Sequence, residues 1–293
     1  MWGTTERENW YKQQIVQRSY LADVVSKISD LSSEFEIIPY GNLSINPRHY
    51  PLYLLKSKDF SPTKKTILIT GGVHGYETSG VHGALDFLKW VADKYNLKFN
   101  IACVPCISPW AYETVNRWNS KAIDPNRSFY PDSPAEESRL FLNAMVTEKI
   151  KPYAHFDLHE TTDTDNTIFR PALEKRDGVV QELSEIPDGF YTVGDTENPR
   201  KEFQKAIVDS VRKVTHIAPP DDQGRIIGEP LQQVGVINYP LRKLYLCAGF
   251  STAEYTTTTE MYPDSPRVDG QICINAQIAA IKGGLDYLVT IPS

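Results

Sequence analysis

The sequence predicts an α/β fold, with a mixed, mostly parallel central sheet flanked by helices on both faces. Three observations carry this. Continuous apolar runs, KKTILITGG (64–72), FNIACVP (99–105) and YAHFDLH (153–159), read as strands buried on both faces. Between and after them lie segments whose apolar residues recur at helical spacing. No linker, composition shift or internal repeat marks a boundary, so residues 1–293 are expected to form one domain with an irregular, pocket-shaping insertion at about 160–200.

Taken in order, residues 5–30 carry Trp10, Ile15, Val16, Tyr20, Leu21, Val24 and Val25 at helical spacing and predict a helix. EFEIIPYG and YPLYLLKS predict two strands around the turn INPRH. After the strand 64–72, the segment 77–95 places Val81, Leu85, Leu88 and Val91 on one stripe, as an amphipathic helix does. A polar and aromatic loop runs from Ser108 to Tyr130. Ser133 followed by Glu136 reads as a capping box opening a helix over 133–150. A helix over 202–214, a loop from Pro219 to Pro230, a late strand over 243–255 and a final helix over 268–288 complete the chain.

Composition narrows the function classes. A formal charge of −6 with no basic block gives no surface to neutralise phosphates, which argues against a nucleic-acid partner. No apolar run approaches the length of a membrane span, so no membrane role is expected. The polar start, MWGTTERENWYKQQ, lacks the apolar core of a cleavable secretory signal. A cytoplasmic monomer is the default expectation, with export by a signal-independent route as the other course. Four scattered cysteines make no disulfide framework. Cys103 and Cys106 bracket Val104-Pro105 at the end of a strand instead of opening a helix, which favours packing over redox chemistry.

One short stretch carries chemistry. In GGVHGYETSG (71–80), His74 and Glu77 stand three apart in a glycine turn just past a strand end. A turn around Gly75 would bring both side chains to one ion. In open α/β sheets, ligands gather at the carboxyl ends of strands. Period-2 alternation in HFDLHE points His155, Asp157 and His159 to one side of a strand, with His159 at its end and best placed as a third ligand. His155 is expected to be a core histidine, and Glu160 to point the other way. Two histidines and a glutamate suit one catalytic Zn2+ ion.

The segment RWNSKAIDPNRSF (117–129), as R-x-N-x-x-x-I-D-P-N-R-x-F, closely resembles the arginine loop of M14-family zinc metallocarboxypeptidases. So do HGYE (74–77), DLH (157–159) and TAE (252–254), in the family's order. Within that family the chain resembles the short bacterial subgroup of the rapid-encystment-phenotype carboxypeptidase. The resemblance implies a carboxypeptidase-like fold and a peptide substrate with a free C-terminus. It implies that His74, Glu77 and His159 hold zinc. Glu254 would be the general base, passing a proton from the attacking water to the leaving amine, and Arg117 would steady the oxyanion. Asn126 and Arg127 would grip the terminal carboxylate, while Asp124 accepts a hydrogen bond from a ligand histidine. Arginine's planar fork suits a carboxylate, and a carboxylate behind a ligand histidine fixes its tautomer.

Glu254 is preferred to Glu260 as base because it lies nearer the apolar strand and matches the family's T-x-E; Glu260 is expected in solvent. The family's catalytic tyrosine has two candidates, Tyr191 and Tyr239. Asp163, Asp165, Asp195 and Glu197 make the insertion acidic, which leans towards basic, Lys or Arg, C-terminal residues. The rival readings are an N-acyl-amino-acid deacylase, a cell-wall peptide amidase and a zinc-binding module without turnover. The deacylase is disfavoured because the final helix leaves no room for the extra domain such enzymes usually carry. The inert module would lack a base or an oxyanion arginine.

Overall fold

The computed structural model describes residues 1–291. The chain opens with α1 (Thr4–Lys12) and continues, after a π-helical turn at Leu21–Val25, into α2 (Ser26–Asp30). The strands β1 (Phe35–Asn42), β2 (Pro51–Ser57) and β3 (Lys65–Gly71) follow, then α3 (Thr78–Trp90), α4 (Asp93–Asn96) and β4 (Phe99–Val104). Next come α5 (Pro109–Thr114), α6 (Glu136–Thr147) and β5 (Pro152–Glu160). The second half holds α7 (Arg170–Asp177), β6 (Tyr191–Asp195), α8 (Lys201–Val211), the two-residue strands β7 (Arg225–Ile226) and β8 (Glu229–Pro230), β9 (Val236–Tyr239), β10 (Tyr255–Met261) and α9 (Gly270–Thr290).

Eight strands form one sheet in the order β1-β2-β4-β3-β5-β10-β6-β9. Its centre, β4-β3-β5-β10, is parallel; β1, β2 and β4 pair antiparallel at one edge, and β6 runs antiparallel to β10 at the other. The expected α/β class, with a mixed, mostly parallel sheet, is therefore what the chain adopts. Alternation decides which helices each strand meets. Ile67 and Ile69 on β3, with Ala154, Phe156 and Leu158 on β5, pack with α3, α8 and α9 through Val81, Phe203 and Ile281. Leu68 points to the opposite face, where Phe141, Ala144 and Met145 of α6 cover it. On β5 this leaves His155, Asp157 and His159 on the face away from α3 and α9.

Several expectations need correction. The helix expected over 5–30 is interrupted, because Gln17 and Arg18 give their donors to α5 instead: Gln17 N–H donates to the Glu113 carbonyl at 2.8 Å and Arg18 Nε to the Tyr112 carbonyl at 2.7 Å. The capping box does not form. Helix α6 begins only at Glu136, past Pro134, and the Glu136 carboxylate instead accepts from the backbone and hydroxyl of Ser44. The strand expected over 243–255 starts only at Tyr255. Before it, Cys247–Gly249 form a short 3-10 turn, and Cys247 N–H donates to Asn126 Oδ1 at 2.8 Å. The insertion is less irregular than expected, since it contains α7 and β6.

All four cysteines are free and buried, as packing residues should be. No helix among the described residues is long and apolar enough to cross a membrane.

Candidate metal centre and active-site cavity

Because β3, β5 and β10 are parallel, their carboxyl ends lie at one edge of the sheet. They open onto a cavity of about 680 Å³, whose wall includes His74, Glu77, Arg117, Asn126, Arg127, His159 and Glu260. His74 lies in the turn after β3, and Glu77 is the N-cap residue of α3. Gly75 between them allows a close crossing with α5: a Cβ there would stand 1.9 Å from the Ala111 carbonyl carbon. Arg18 reaches across from the N-terminal segment and donates to the Gly75 carbonyl at 2.6 Å, holding the turn from outside.

The three expected ligands converge. His74 Nδ1 lies 2.7 Å from Glu77 Oε1, and His159 Nδ1 lies 2.8 Å from Glu77 Oε2. One ligand atom from each residue falls within 4.8 Å of the others, and all three residues are buried. Behind each ring stands a carboxylate. His74 Nε2 meets Asp124 Oδ1 at 3.1 Å, as expected, and His159 Nε2 meets Asp157 Oδ2 at 2.9 Å. With a cation between them, a proton held on each Nε2 by these acids would leave both Nδ1 lone pairs free to ligate it.

The donor set fits a divalent metal on two further grounds. Glu77 Oε2 is buried with no well-formed hydrogen bond, an expensive state for a carboxylate oxygen unless a cation meets it. Burial works to raise the Glu77 carboxyl, yet the two histidines outweigh it and bring it down to about 2, so the ligand is ionised. Likewise burial opposes charge on His159, but Glu77 and Asp157 hold it well above the usual imidazole range. The surroundings favour positive charge at this point.

Asp157 also continues inwards. Thr70 Oγ1 donates to Asp157 Oδ1 at 2.6 Å and lies 2.8 Å from His155 Nε2. His155 is thus a fully buried core residue, as expected, and the group His155, Asp157 and Cys247 is knit together by the Thr70 hydroxyl.

The arginine loop follows. Asp124 caps the short 3-10 turn at Pro125–Arg127, accepting from Asn126 N–H at 2.9 Å. Arg117 lies between Asp124 and Asp165, 3.1 Å from each. Burial would weaken its charge, but those acids and Tyr76 raise it well above the ordinary guanidinium value. Among the described residues the Arg127 guanidinium donates only to its neighbour's carbonyl, Asn126 O at 2.8 Å, and burial pulls it below the usual value.

Glu254 is the one site residue that the fold does not bring in. It sits just before β10, at the amino end of that strand, exposed and paired with Arg200 at 3.2 Å. Glu260 occupies the cavity instead. It stands in register with His159 across β5 and β10, half-buried, and accepts from Thr161 Oγ1 at 2.8 Å. Burial pushes its carboxyl up to about 7, with Glu77 adding to the rise and His159 opposing it. The signal that could have found it was strand propensity and register: TTTTE is a β-branched run, and its last residue is the one that reaches the ligand edge. Glu160 behaves as expected, turned to the α3 face, where it accepts from Ser79 N–H at 2.8 Å.

Of the two tyrosines, Tyr191 is fully buried with its hydroxyl on Thr161 at 2.7 Å. Tyr239 is half-buried in the cavity wall. Of the four acids expected to favour a basic side chain, only Asp165 lines the cavity, and Arg117 and Tyr76 already occupy it. Asp163 accepts from the Tyr262 hydroxyl, and the Asp195 carboxylate accepts from the Glu197 backbone N–H.

Residues 63–187 match the family model of the succinylglutamate desuccinylase/aspartoacylase catalytic domain. No curated protein matches the chain. Among solved structures, a protein provisionally named a metallopeptidase, from Shewanella amazonensis, is 21% identical, with a TM-score of 0.68 over 94% of this chain and 99% of that one. A metallo-carboxypeptidase from Burkholderia cenocepacia gives 0.63 at 16% identity over 91% and 68%. A metallo-carboxypeptidase from Pseudomonas aeruginosa gives 0.61 at 14% identity over 90% and 68%. At these identities the likeness is one of fold, and it is the carboxypeptidase-like fold.

Proposed function

We propose that the protein is a zinc metallocarboxypeptidase that hydrolyses the last peptide bond of substrates with a free C-terminus. The observation that carries this reading is the meeting, in one cavity, of a His74–Glu77–His159 set, the Asn126–Arg127 pair, Arg117 and Glu260. A zinc ion on the three ligands would lower the pKa of a water towards about 7 and polarise the scissile carbonyl.

The chain's own groups do the rest. Arg127 takes the terminal carboxylate in a charge-assisted fork, with the Asn126 amide beside it, oriented because its Oδ1 is fixed by Cys247 N–H. Arg117 lies ready for the developing oxyanion. Glu260, in place of Glu254, removes the proton of the attacking water and delivers it to the leaving nitrogen. A carboxyl near 7 suits a group that must both accept and donate at neutral pH. Tyr239 is the tyrosine positioned to meet substrate. The basic preference has lost its support, because no unengaged acid of the insertion faces the cavity.

A second reading, N-acyl-amino-acid deacylation, is favoured by the family-model match over residues 63–187. The two are separated by incubating zinc-loaded protein with a mixture of peptides, their C-terminally amidated forms and N-acyl amino acids, followed by mass spectrometry. Loss of one residue from free-ended peptides alone supports the carboxypeptidase. Cleavage of N-acyl amino acids without peptide trimming overturns it in favour of the deacylase.

A further inference from the structure

Two threonines of β10 face the helices, and each meets a glutamine. Thr257 Oγ1 donates to Gln204 Oε1 of α8 at 2.9 Å, and Thr259 Oγ1 donates to Gln277 Oε1 of α9. Both glutamines are fully buried, and each also donates through Nε2 to a backbone carbonyl at 2.9 Å: Gln204 to Thr256, Gln277 to His159. A carbonyl only accepts, so these bonds fix which way each amide points. The difference lies at the other end. Gln204 closes on β10 itself, near the amino end of that strand. Gln277 joins three elements, each of which carries a residue of the candidate site.

Its Nε2 also donates to Ser79 Oγ at 3.3 Å, two residues past Glu77, and Thr259 immediately precedes Glu260. The amide group thus uses its nitrogen and its oxygen fully, and a flipped amide would set Oε1 against the His159 carbonyl. The start of α3 needs an outside hold of this kind. Glu77 occupies the N-cap position, but its carboxylate is turned to the two histidines and makes no cap. The cap comes from β5 instead: Glu160, next to His159, accepts from Ser79 N–H at 2.8 Å. Gly80 and Gly83 let the helix lie close enough. A Cβ on Gly80 would stand 2.5 Å from the Leu158 carbonyl oxygen, and one on Gly83 would stand 2.6 Å from Gln277 Cβ.

We propose that Gln277, which lies outside the cavity lining, is a positioning residue for the metal centre. It fixes the spacing of His159 and Glu77 from behind and keeps Glu260 at the same edge. The inference rests on the reading of His74, Glu77 and His159 as metal ligands. Ligand sets must be held to within about 0.5 Å, so loosening two of their carriers together lowers metal affinity.

Gln277→Met and Gln204→Met form a matched pair, since each removes one threonine acceptor and one donor to a backbone carbonyl. Zinc affinity is measured by competition with a chromophoric chelator, and the visible spectrum of Co2+-substituted protein reports ligand geometry. Urea unfolding of the metal-free protein reports stability. Gln277→Met should bind zinc about tenfold more weakly than the parent, the lower end of what a lost supporting partner costs, and should shift the Co2+ bands. Gln204→Met should lose stability and keep both metal readouts at parental values. Thr259→Val, of the same shape, removes only the bond to Gln277 Oε1; it should weaken zinc in the same direction, and it decides the matter if Gln277→Met does not fold. Parental affinity and spectrum in the deciding variant, or an equal loss in Gln204→Met, overturns the inference and leaves the proposed function standing. A parent that binds zinc but trims no peptide overturns that function alone, and a parent that binds no zinc overturns both.

Discussion

Glu260 stands directly opposite His159 on the neighbouring parallel strand, so one candidate metal ligand and one carboxylate emerge side by side at the same sheet edge. Glu254, six residues earlier, lies about 20 Å back along the strand direction at roughly 3.3 Å per residue. Register thus decides which glutamate stands beside the candidate metal ligands.

The carboxylates behind the histidines should matter for the metal itself. Asp157 touches His159 Nε2 and is held by Thr70. Asp157→Asn is expected to weaken zinc binding about 10–100-fold, as is usual when such a partner is lost. Competition with a chromophoric chelator measures this, and an unchanged affinity would remove Asp157 from the site.

Arg127 is expected to read the substrate's end group. Arg127→Ala should lower kcat/KM on free-ended substrates by roughly 10–100-fold or more, mainly through KM, the size of a lost charged hydrogen bond. Any slow hydrolysis of amidated analogues should be unaffected. Equal losses on both substrate types would dissociate Arg127 from carboxylate recognition.

A third expectation concerns stability. Glu137, buried in α6 away from the metal, has its carboxyl pushed up to about 7 by burial, despite the bond from Asn119 Nδ2 at 3.2 Å. Its folded value lies above the unfolded one, so the folded state holds the proton more tightly. That contribution is fully present below about 4.5 and is lost as pH rises through about 7. Glu137→Gln should therefore flatten the fall in stability over this window and stabilise the protein at pH 8, by of order 1–3 kcal/mol. Urea denaturation at pH 5 and pH 8 tests the sign. A variant less stable than the parent at pH 8 would show that Glu137 is needed as a charge.

Much of the site was legible because its signals are local. His74 and Glu77 share one turn, Asp124, Asn126 and Arg127 share one loop, and alternation along β5 sorted His159 from Glu160. The central strands were equally plain, since burial on both faces writes a continuous apolar run. What failed depended on partners distant in sequence. The N-terminal helix breaks because Gln17 and Arg18 bond α5, nearly a hundred residues on. The stretch 243–250, buried over 246–249, is not a strand, because its backbone serves Asn126 and Phe129. That misplaced strand start shifted the expected strand end, so that Glu254, and not Glu260, was expected beside the ligand edge. The acidic insertion misled for a similar reason: side-chain charge along the sequence does not say which acid Arg117 will already hold.

The most direct test compares Glu260→Gln with Glu254→Gln, each verified by elemental analysis to hold one zinc, on the best substrate from the mass-spectrometric screen. The account expects Glu260→Gln to lose at least about 10²-fold in kcat, the typical worth of a positioned general base, while Glu254→Gln retains parental activity. Retention of activity by Glu260→Gln, or its loss in Glu254→Gln, would contradict the account.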